Sequence, residues 1–322
     1  MSYLVGTDEA GYGPNLGPLV VSASVWRVPD GVHADGLYRL LDGVVAGPDQ
    51  LDDASPARLA IADSKLVYRA GKGLATLERN VLAAMALIGR RPGTWRDVWA
   101  GLADGSLDPS PALPCYCDFD APLPLEADAA AIGSLADRVA PRLRAAGVEL
   151  VALRSRAIFE AEFNELVARH GSKGTVLSHA TLELAARALA PLTHGPISVL
   201  CDKHGGRNSY QRLLSEWFPQ WLVEVYGEGR SESVYRFGPA DRRVEFRFRA
   251  KGETCLATAL ASMASKYLRE LAMRAFNAFW CGRLPGLTPT AGYPADAKRF
   301  QRDVAAAQSR LSNSDPLLWR CR

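Results

Sequence analysis

Apolar and polar positions along the 322-residue chain follow two periods. Short apolar runs at 3–6 and 19–25 read as buried strands, with a loop rich in Gly and Pro between them. Runs at 148–154 and 197–201 read the same way. The segment 244–251 alternates strictly, with Val244, Phe246, Phe248 and Ala250 on one face and Glu245, Arg247, Arg249 and Lys251 on the other. A period near 3.6 predicts helices over 129–146, 159–170, 177–192, 210–221, 254 to about 280, and 295–311. In the first of these, Ile132, Leu135, Val139 and Leu143 share a face. A helix capped by Asp63 or Ser64 is expected to continue through 77–87. Residues 27–60 read as mixed loop and short helix. Six prolines mark 91–128 as an irregular insertion between core elements.

Apolar residues make up 48% of the chain, enough for a substantial core. No basic segment leads into an apolar stretch near position 1, and no uncharged apolar run reaches the length of a membrane span. A cytoplasmic protein without membrane association is expected. Six cysteines and five histidines share no ligand spacing, and only Cys115 and Cys117 lie close together. Reduced cysteines are expected rather than a zinc site. The net charge of +3 is uneven: residues 200–322 carry 20 Lys/Arg against 12 Asp/Glu (+8), and the rest 18 against 23 (−5). That asymmetry suits a polyanion held by the C-terminal half.

Candidate chemistry sits where the apolar runs end. The first strand leads into Asp8 and Glu9. Successive side chains of a strand point to opposite faces, so both serve one site only if the backbone turns at once. Ala10-Gly11-Tyr12-Gly13 permits such a turn. Buried neighbouring carboxylates repel each other and take up protons, which a divalent cation with oxygen ligands relieves; a solvated turn is the plainer alternative. The run 197–201 repeats the pattern by ending in Asp202, and strands lying side by side would bring both acids to one edge. Glu253 opens the helix at 254, whose first half is dense in small residues; an acid there also suits the helix dipole. Lys65, beside a helix start, is a candidate phosphate contact, and capping suffices to explain Ser64. Lys251 is a third cation on the polar face leading to Glu253. In Lys203-His204-Gly205-Gly206-Arg207, His204 could move a proton and Arg207 hold a phosphate, or the segment is a charged turn. His179 reads as a capping or core residue.

The string Asp8-Glu9-Ala10-Gly11-Tyr12-Gly13-Pro14-Asn15-Leu16-Gly17-Pro18 resembles, without a gap, the N-terminal signature of ribonuclease HII. Those metal-dependent nucleases cut the RNA strand of RNA/DNA duplexes and incise at ribonucleotides embedded in DNA. The string departs at Tyr12, where that family usually carries Arg in a turn contacting the ribo–deoxyribo junction. Asp63-Ser64-Lys65 is similar to the family's second landmark, and Asp202 to its third catalytic position. The fourth acid is usually Asp; Glu253 instead resembles the sister family, ribonuclease HIII, with no sign of that family's extra N-terminal domain. Tyr293, in 289–294, is similar to the tyrosine that packs on the deoxyribose beyond the ribonucleotide. Segments 91–128 and 204–240 stay unmatched.

The resemblance implies a ribonuclease H-like α/β fold: a mixed sheet flanked by helices, one domain over 1–322, with a helical C-terminal part from about 254. It implies that Asp8, Glu9, Asp202 and Glu253 hold two Mg²⁺ or Mn²⁺ ions and that hydrolysis leaves 5′-phosphate and 3′-hydroxyl ends. Gly11, Tyr12 and Gly13 would face the 2′-hydroxyl, with Lys65, Arg207, Lys251 and Tyr293 as further contacts to a hybrid or ribonucleotide-containing duplex. Tyr12 cannot replace the forked cation of Arg, so cleavage of long hybrids is expected to exceed incision at single ribonucleotides. Three alternatives stand beside this. An ATP-dependent kinase of the actin and sugar-kinase type would use Asp8 with Gly11 and Gly13, and Asp202 with Gly205 and Gly206, as phosphate loops. The others are a non-catalytic nucleic-acid binder and a phosphate-chemistry enzyme with another target, such as a junction resolvase.

Overall fold

The computed structural model describes residues 1–51, 57–68, 73–103, 106, 115–250, 252–311 and 318–321, with Glu253 described by its backbone alone. Seven strands form one mixed sheet: β1 (Ser2–Ala10), β2 (Leu19–Val28), β3 (Glu149–Ile158), β4 (Ile197–Asp202), β5 (Glu224–Glu228), β6 (Glu232–Phe237) and β7 (Val244–Arg249). Their spatial order is β3-β2-β1-β4-β7-β6-β5. β1, β4 and β7 run parallel at the centre, and the other strands pair antiparallel. This is the mixed sheet flanked by helices that the resemblance implies.

Both faces of the centre are covered, which is why the inner strands read as continuous apolar runs rather than alternating ones. Nine of the ten β2 residues are buried. Leu19, Val21, Ala23 and Val25 face a core shared with helix 173–189, while Val20, Trp26 and Val28 face the core under helix 256–283. On that second face Gly6, Ser22 and Ser24 meet a helix whose opening residues are also small. A Cβ on Gly6 would lie 2.2 Å from the backbone of Ala257 and Thr258, so only glycine admits the helix at this distance. The hydroxyls left between the layers are bonded: Ser24 donates to the Ala257 carbonyl (2.7 Å), and Ser22 meets both Ser265 (2.8 Å) and Ser155 (2.7 Å).

Several elements differ from the sequence reading. The helix expected from Asp63 through Leu87 is two: α1 (Ser64–Val67) ends at Tyr68 in extended backbone, and α2 (Ala75–Leu87) starts afresh after Gly73 at φ +80°. The irregular insertion contains α3 (Trp95–Leu102), closed by a reciprocal Thr94–Asp97 capping box. Its Trp95, Val98, Trp99 and Leu102 are buried, and the Trp95 indole donates to the Leu271 carbonyl at 3.0 Å. Truncating either tryptophan would cost on the order of 3–5 kcal/mol, the scale of core rather than decoration.

β5 and β6 stand in the unmatched segment 204–240. β6 alternates in burial, but one inward position is Ser233 and an outward one is Val234, which blurs the pattern. β3 extends to Ile158. Apart from a four-residue turn of helix at Leu37–Leu40, the remaining α-helices among the described residues are α4 (Ala129–Ala145), α5 (Glu160–His170), α6 (Lys173–Leu189), α7 (Gln211–Trp217), α8 (Leu256–Arg283) and α9 (Pro294–Arg310). Among the described residues, no helix is long and apolar enough to cross a membrane.

Candidate active site and nucleic-acid cleft

Register decides where the acids stand. β1 and β4 pair in parallel through Thr7 with Cys201, so Asp8 and Asp202 occupy the next step side by side. Both lie on the α8 face of the sheet, the face of Gly6. β7 pairs with β4 up to Asp202 with Arg249, and the chain then turns into a short 3-10 helix, Gly252–Thr254. The Gly252 amide donates to the Asp202 carboxylate at 3.3 Å, and a Cβ there would lie 3.3 Å from the β4 backbone. The backbone of Glu253 is thereby fixed beside Asp202; its side chain lies outside the described residues, as does Lys251.

Asp8 and Glu9 do not share a turn. Antiparallel pairing with β2 continues unbroken to Ala10 with Val20, and the chain departs only at Gly11, at φ +90°. The adjacent carboxylates therefore leave the strand on opposite faces. Their charges still meet: burial raises the Asp8 carboxyl well above its usual range, Glu9 adds to the rise, and Asp202 adds a little more. A bond from Ser262 and the Glu9 amide partly offset this. Ser265 fixes the strand from beneath by donating to the Asp8 carbonyl at 3.0 Å. Ser262 also meets the Ser64 hydroxyl at 3.1 Å, so the Asp63-Ser64-Lys65 corner is tied to Asp8. The cap of α1 is Asp63, which accepts the Lys65 amide at 3.1 Å; Ser64 is buried and serves this tie instead of capping.

The donors fit a hard divalent cation. They are carboxylate oxygens whose mutual repulsion and burial such an ion would relieve. Among the described residues no three His, Cys, Asp or Glu side chains converge tightly enough to hold an ion by themselves. No Lys or Arg among them forms an ion pair with Asp8 or Asp202.

Beside the acids opens a cleft of about 710 Å³. Glu9, Gly11, Tyr12, Gly13, Lys65 and Tyr293 all line it. The Lys65 ammonium is largely exposed, 3.9 Å from Asp63, and Tyr293 is half exposed at the start of α9. The far wall is α8, whose Lys266 and Arg274 the sequence reading missed. Lys266 pairs with Glu270 and sits 4.6 Å above the Tyr68 ring, and Arg274 pairs with Glu126. Their spacing along one long helix was the available signal. Glu126 is held in turn by buried Glu78, which accepts the amides of Leu125, Glu126 and Ala127.

Tyr12 lines the cleft, whereas Arg207 does not. The Tyr12 hydroxyl is close enough to Gly174 and Gly205 that an added Cβ would stand 3.6 and 3.3 Å from it. The Lys173 ammonium lies 5.5 Å from the Tyr12 ring, and Arg207 donates to the Thr175 hydroxyl at 3.2 Å. Tyr12 thus fills the space between the two glycine segments that a kinase reading needs as facing phosphate loops. The polar face of β7 is not a row of free cations: Arg247 pairs with Glu232 and Glu245, and Arg249 with Asp35.

His204 does not reach the acids. It is buried beneath Tyr210 and Phe248 and bonds Ser178 at 3.1 Å. Burial first, and the nearby Arg207 charge second, push its pKa down to about 3. It stays neutral in the folded chain yet titrates near 6.5 when unfolded. The unfolded state therefore binds the extra proton, and stability falls as pH drops from about 6.5 toward 3, remaining complete above that window. His204→Leu should remove up to about 1.4 kcal/mol per pH unit of this acid sensitivity. Urea unfolding between about pH 6 and 4 checks it; an unchanged slope would mean that His204 titrates normally.

No family model matches the chain, and no curated protein matches it in sequence. Solved structures do. One is the PCNA–RNase HII complex from Archaeoglobus fulgidus, at 14% identity over 99% of this chain and 94% of that one, TM-score 0.43. A second is ribonuclease H2 from Pyrococcus horikoshii OT3, at 15% identity over 98% and 92%, TM-score 0.45. Bst-RNase HIII in complex with Mn²⁺ matches at 14% identity over 99% and 66%, TM-score 0.41. The strand order, with its three parallel central strands and two antiparallel neighbours, makes the fold of this chain ribonuclease H-like.

Proposed function

We propose that this single domain is a metal-dependent endonuclease that hydrolyses the RNA strand of RNA/DNA hybrids. The observation that carries the reading is the placement of Asp8 and Asp202 one step beyond the paired Thr7 and Cys201 at the ends of two parallel strands, with the Glu253 backbone docked beside them through Gly252. Asp8 and Asp202 would hold two Mg²⁺ or Mn²⁺ ions together with Glu253, and Glu9, which leaves β1 on the other face but lines the same cleft at the strand end and raises the Asp8 carboxyl, would complete the set. Bound there, the ions supply Lewis acidity for the attacking water and the leaving 3′ oxygen. The chain itself does the rest. Its cleft receives the duplex, Lys65, Lys266 and Arg274 neutralise backbone phosphates, and Tyr293 offers an exposed ring to a sugar. The turn Gly11-Tyr12-Gly13 bounds the cleft where a 2′-hydroxyl would be read.

The test is incubation of the purified protein with labelled RNA/DNA hybrid, a duplex containing one ribonucleotide, and plain DNA, each with Mn²⁺, Mg²⁺ or chelator. Hybrid cleavage that needs the metal and leaves 5′-phosphate ends is expected; ATP turnover without cleavage would replace the reading with the kinase. Tyr12 offers one hydroxyl where a bidentate cation would grip two acceptors, and that hydroxyl is packed against Gly174 and Gly205. Incision at a single ribonucleotide should therefore be slower than hybrid cleavage by about tenfold in kcat/KM. Equal or faster incision on matched sequences would contradict this.

A further inference from the structure

The cleft-forming loop 11–18 is held from inside by three buried charged residues that belong to distant parts of the chain. Glu160, at the start of α5, accepts the Gly17 amide at 2.7 Å. Arg269 of α8 donates to the carbonyls of Leu16 (3.3 Å), Pro18 (3.4 Å) and Ala291 (3.0 Å). Arg320 donates to the carbonyls of Gly17 (3.2 Å) and Tyr12 (3.3 Å), and its own amide donates to Asn15 at 2.9 Å. Its guanidinium also lies 4.2 Å from the Phe163 ring. The segment bearing Arg320 is clamped in turn: Asn164 donates to the Trp319 carbonyl and accepts the Cys321 amide, both at 2.7 Å, and Leu318 is buried.

We infer that Arg320 is a positioning residue for the Gly11-Tyr12-Gly13 turn, and that segment 318–321 is a latch on the substrate cleft. The physical case is one of backbone carbonyls. A loop rich in Gly and Pro has many accessible conformations, and its carbonyls need donors when it is pressed against the core. One planar guanidinium bonds two of them at once, including that of Tyr12, and so fixes the plane of the peptide leading into Gly13. Without it, the competent arrangement is one of several, and apparent affinity falls by the fraction lost.

Hydrogen exchange of peptides covering 11–18 tests this whether or not the chain is a nuclease. Arg320→Ala should speed exchange there by about tenfold while peptides in β2 keep the wild-type rate. Asn164→Ala, which frees the segment without touching the loop, should act in the same direction, and Arg320→Lys should fall between. The kinetic arm rests on the hybrid-cleavage reading: KM for hybrid rises by about tenfold in Arg320→Ala while kcat stays within about threefold. If the wild-type protein cleaves no hybrid, that reading fails and the exchange result still decides the latch. Wild-type exchange in both alanine variants overturns it. So does acceleration that spreads equally into β2, or a fall in kcat at unchanged KM.

Discussion

Exchanging Asp202 for Asn should slow hybrid cleavage by at least about a thousandfold while leaving hybrid affinity within about threefold of wild type. Asn keeps the size of the side chain and an oxygen that accepts the Gly252 amide, so the turn before Glu253 remains docked on β4. What it removes is one full negative charge beside Asp8. Any ion that Asp202 helps to hold would lose a ligand that a neutral amide cannot replace at similar strength. The cleft cations Lys65, Lys266 and Arg274 are untouched, so phosphate contacts persist. Stability gives an internal control. Asp202 is one of the charges that raise the Asp8 carboxyl, so the metal-free variant should melt no lower than wild type. Cleavage at the wild-type rate would take Asp202 out of the site.

Gly6→Ala should cost about 3 kcal/mol or more by urea unfolding. The added Cβ would stand 2.2 Å from backbone atoms of α8 at Ala257 and Thr258. No rotamer relieves a clash between a Cβ and a backbone, so the helix must retreat from the sheet. Retreat opens a void over Ser22 and Ser24 and parts Ser24 from the Ala257 carbonyl. It also draws Ser262 away from Asp8, so activity should fall with stability. A change below about 0.5 kcal/mol would show that the helix stands off the strand.

The strands and acids were legible in the sequence for different reasons than the cleft was not. β1, β2 and β4 declare themselves because both their faces are covered, and carboxylates at their ends stand out against apolar runs. The string from Asp8 to Pro18 carried the fold. The immediate turn after Asp8 was wrong because Ala10 still has a strand partner in Val20, and a Gly-rich sequence only permits a bend where neighbours no longer pair. α3 was hidden by the prolines around it, although Thr94 and Asp97 spell a capping box and two tryptophans lie within five residues. His204 could have moved a proton from its place two residues after Asp202, yet the strand ends at Asp202 and the turn carries the ring into the core beside Phe248, where it bonds Ser178. Arg269, Arg320 and Glu160 gave no signal: each bonds loop carbonyls or amides, contacts that leave no periodicity in sequence.

The bond between Arg320 and the Tyr12 carbonyl joins residues 308 positions apart. Strand β1, with Asp8 and Glu9, leaves the exit tunnel long before its latch has been translated. A nascent polypeptide therefore displays its acids among transcripts and their hybrids while the loop that would seat a substrate is still loose. Chains that stop short of Arg320 should accordingly show faster hydrogen exchange over 11–18 than chains extending past it, so order in this loop arrives only once residue 320 has been made.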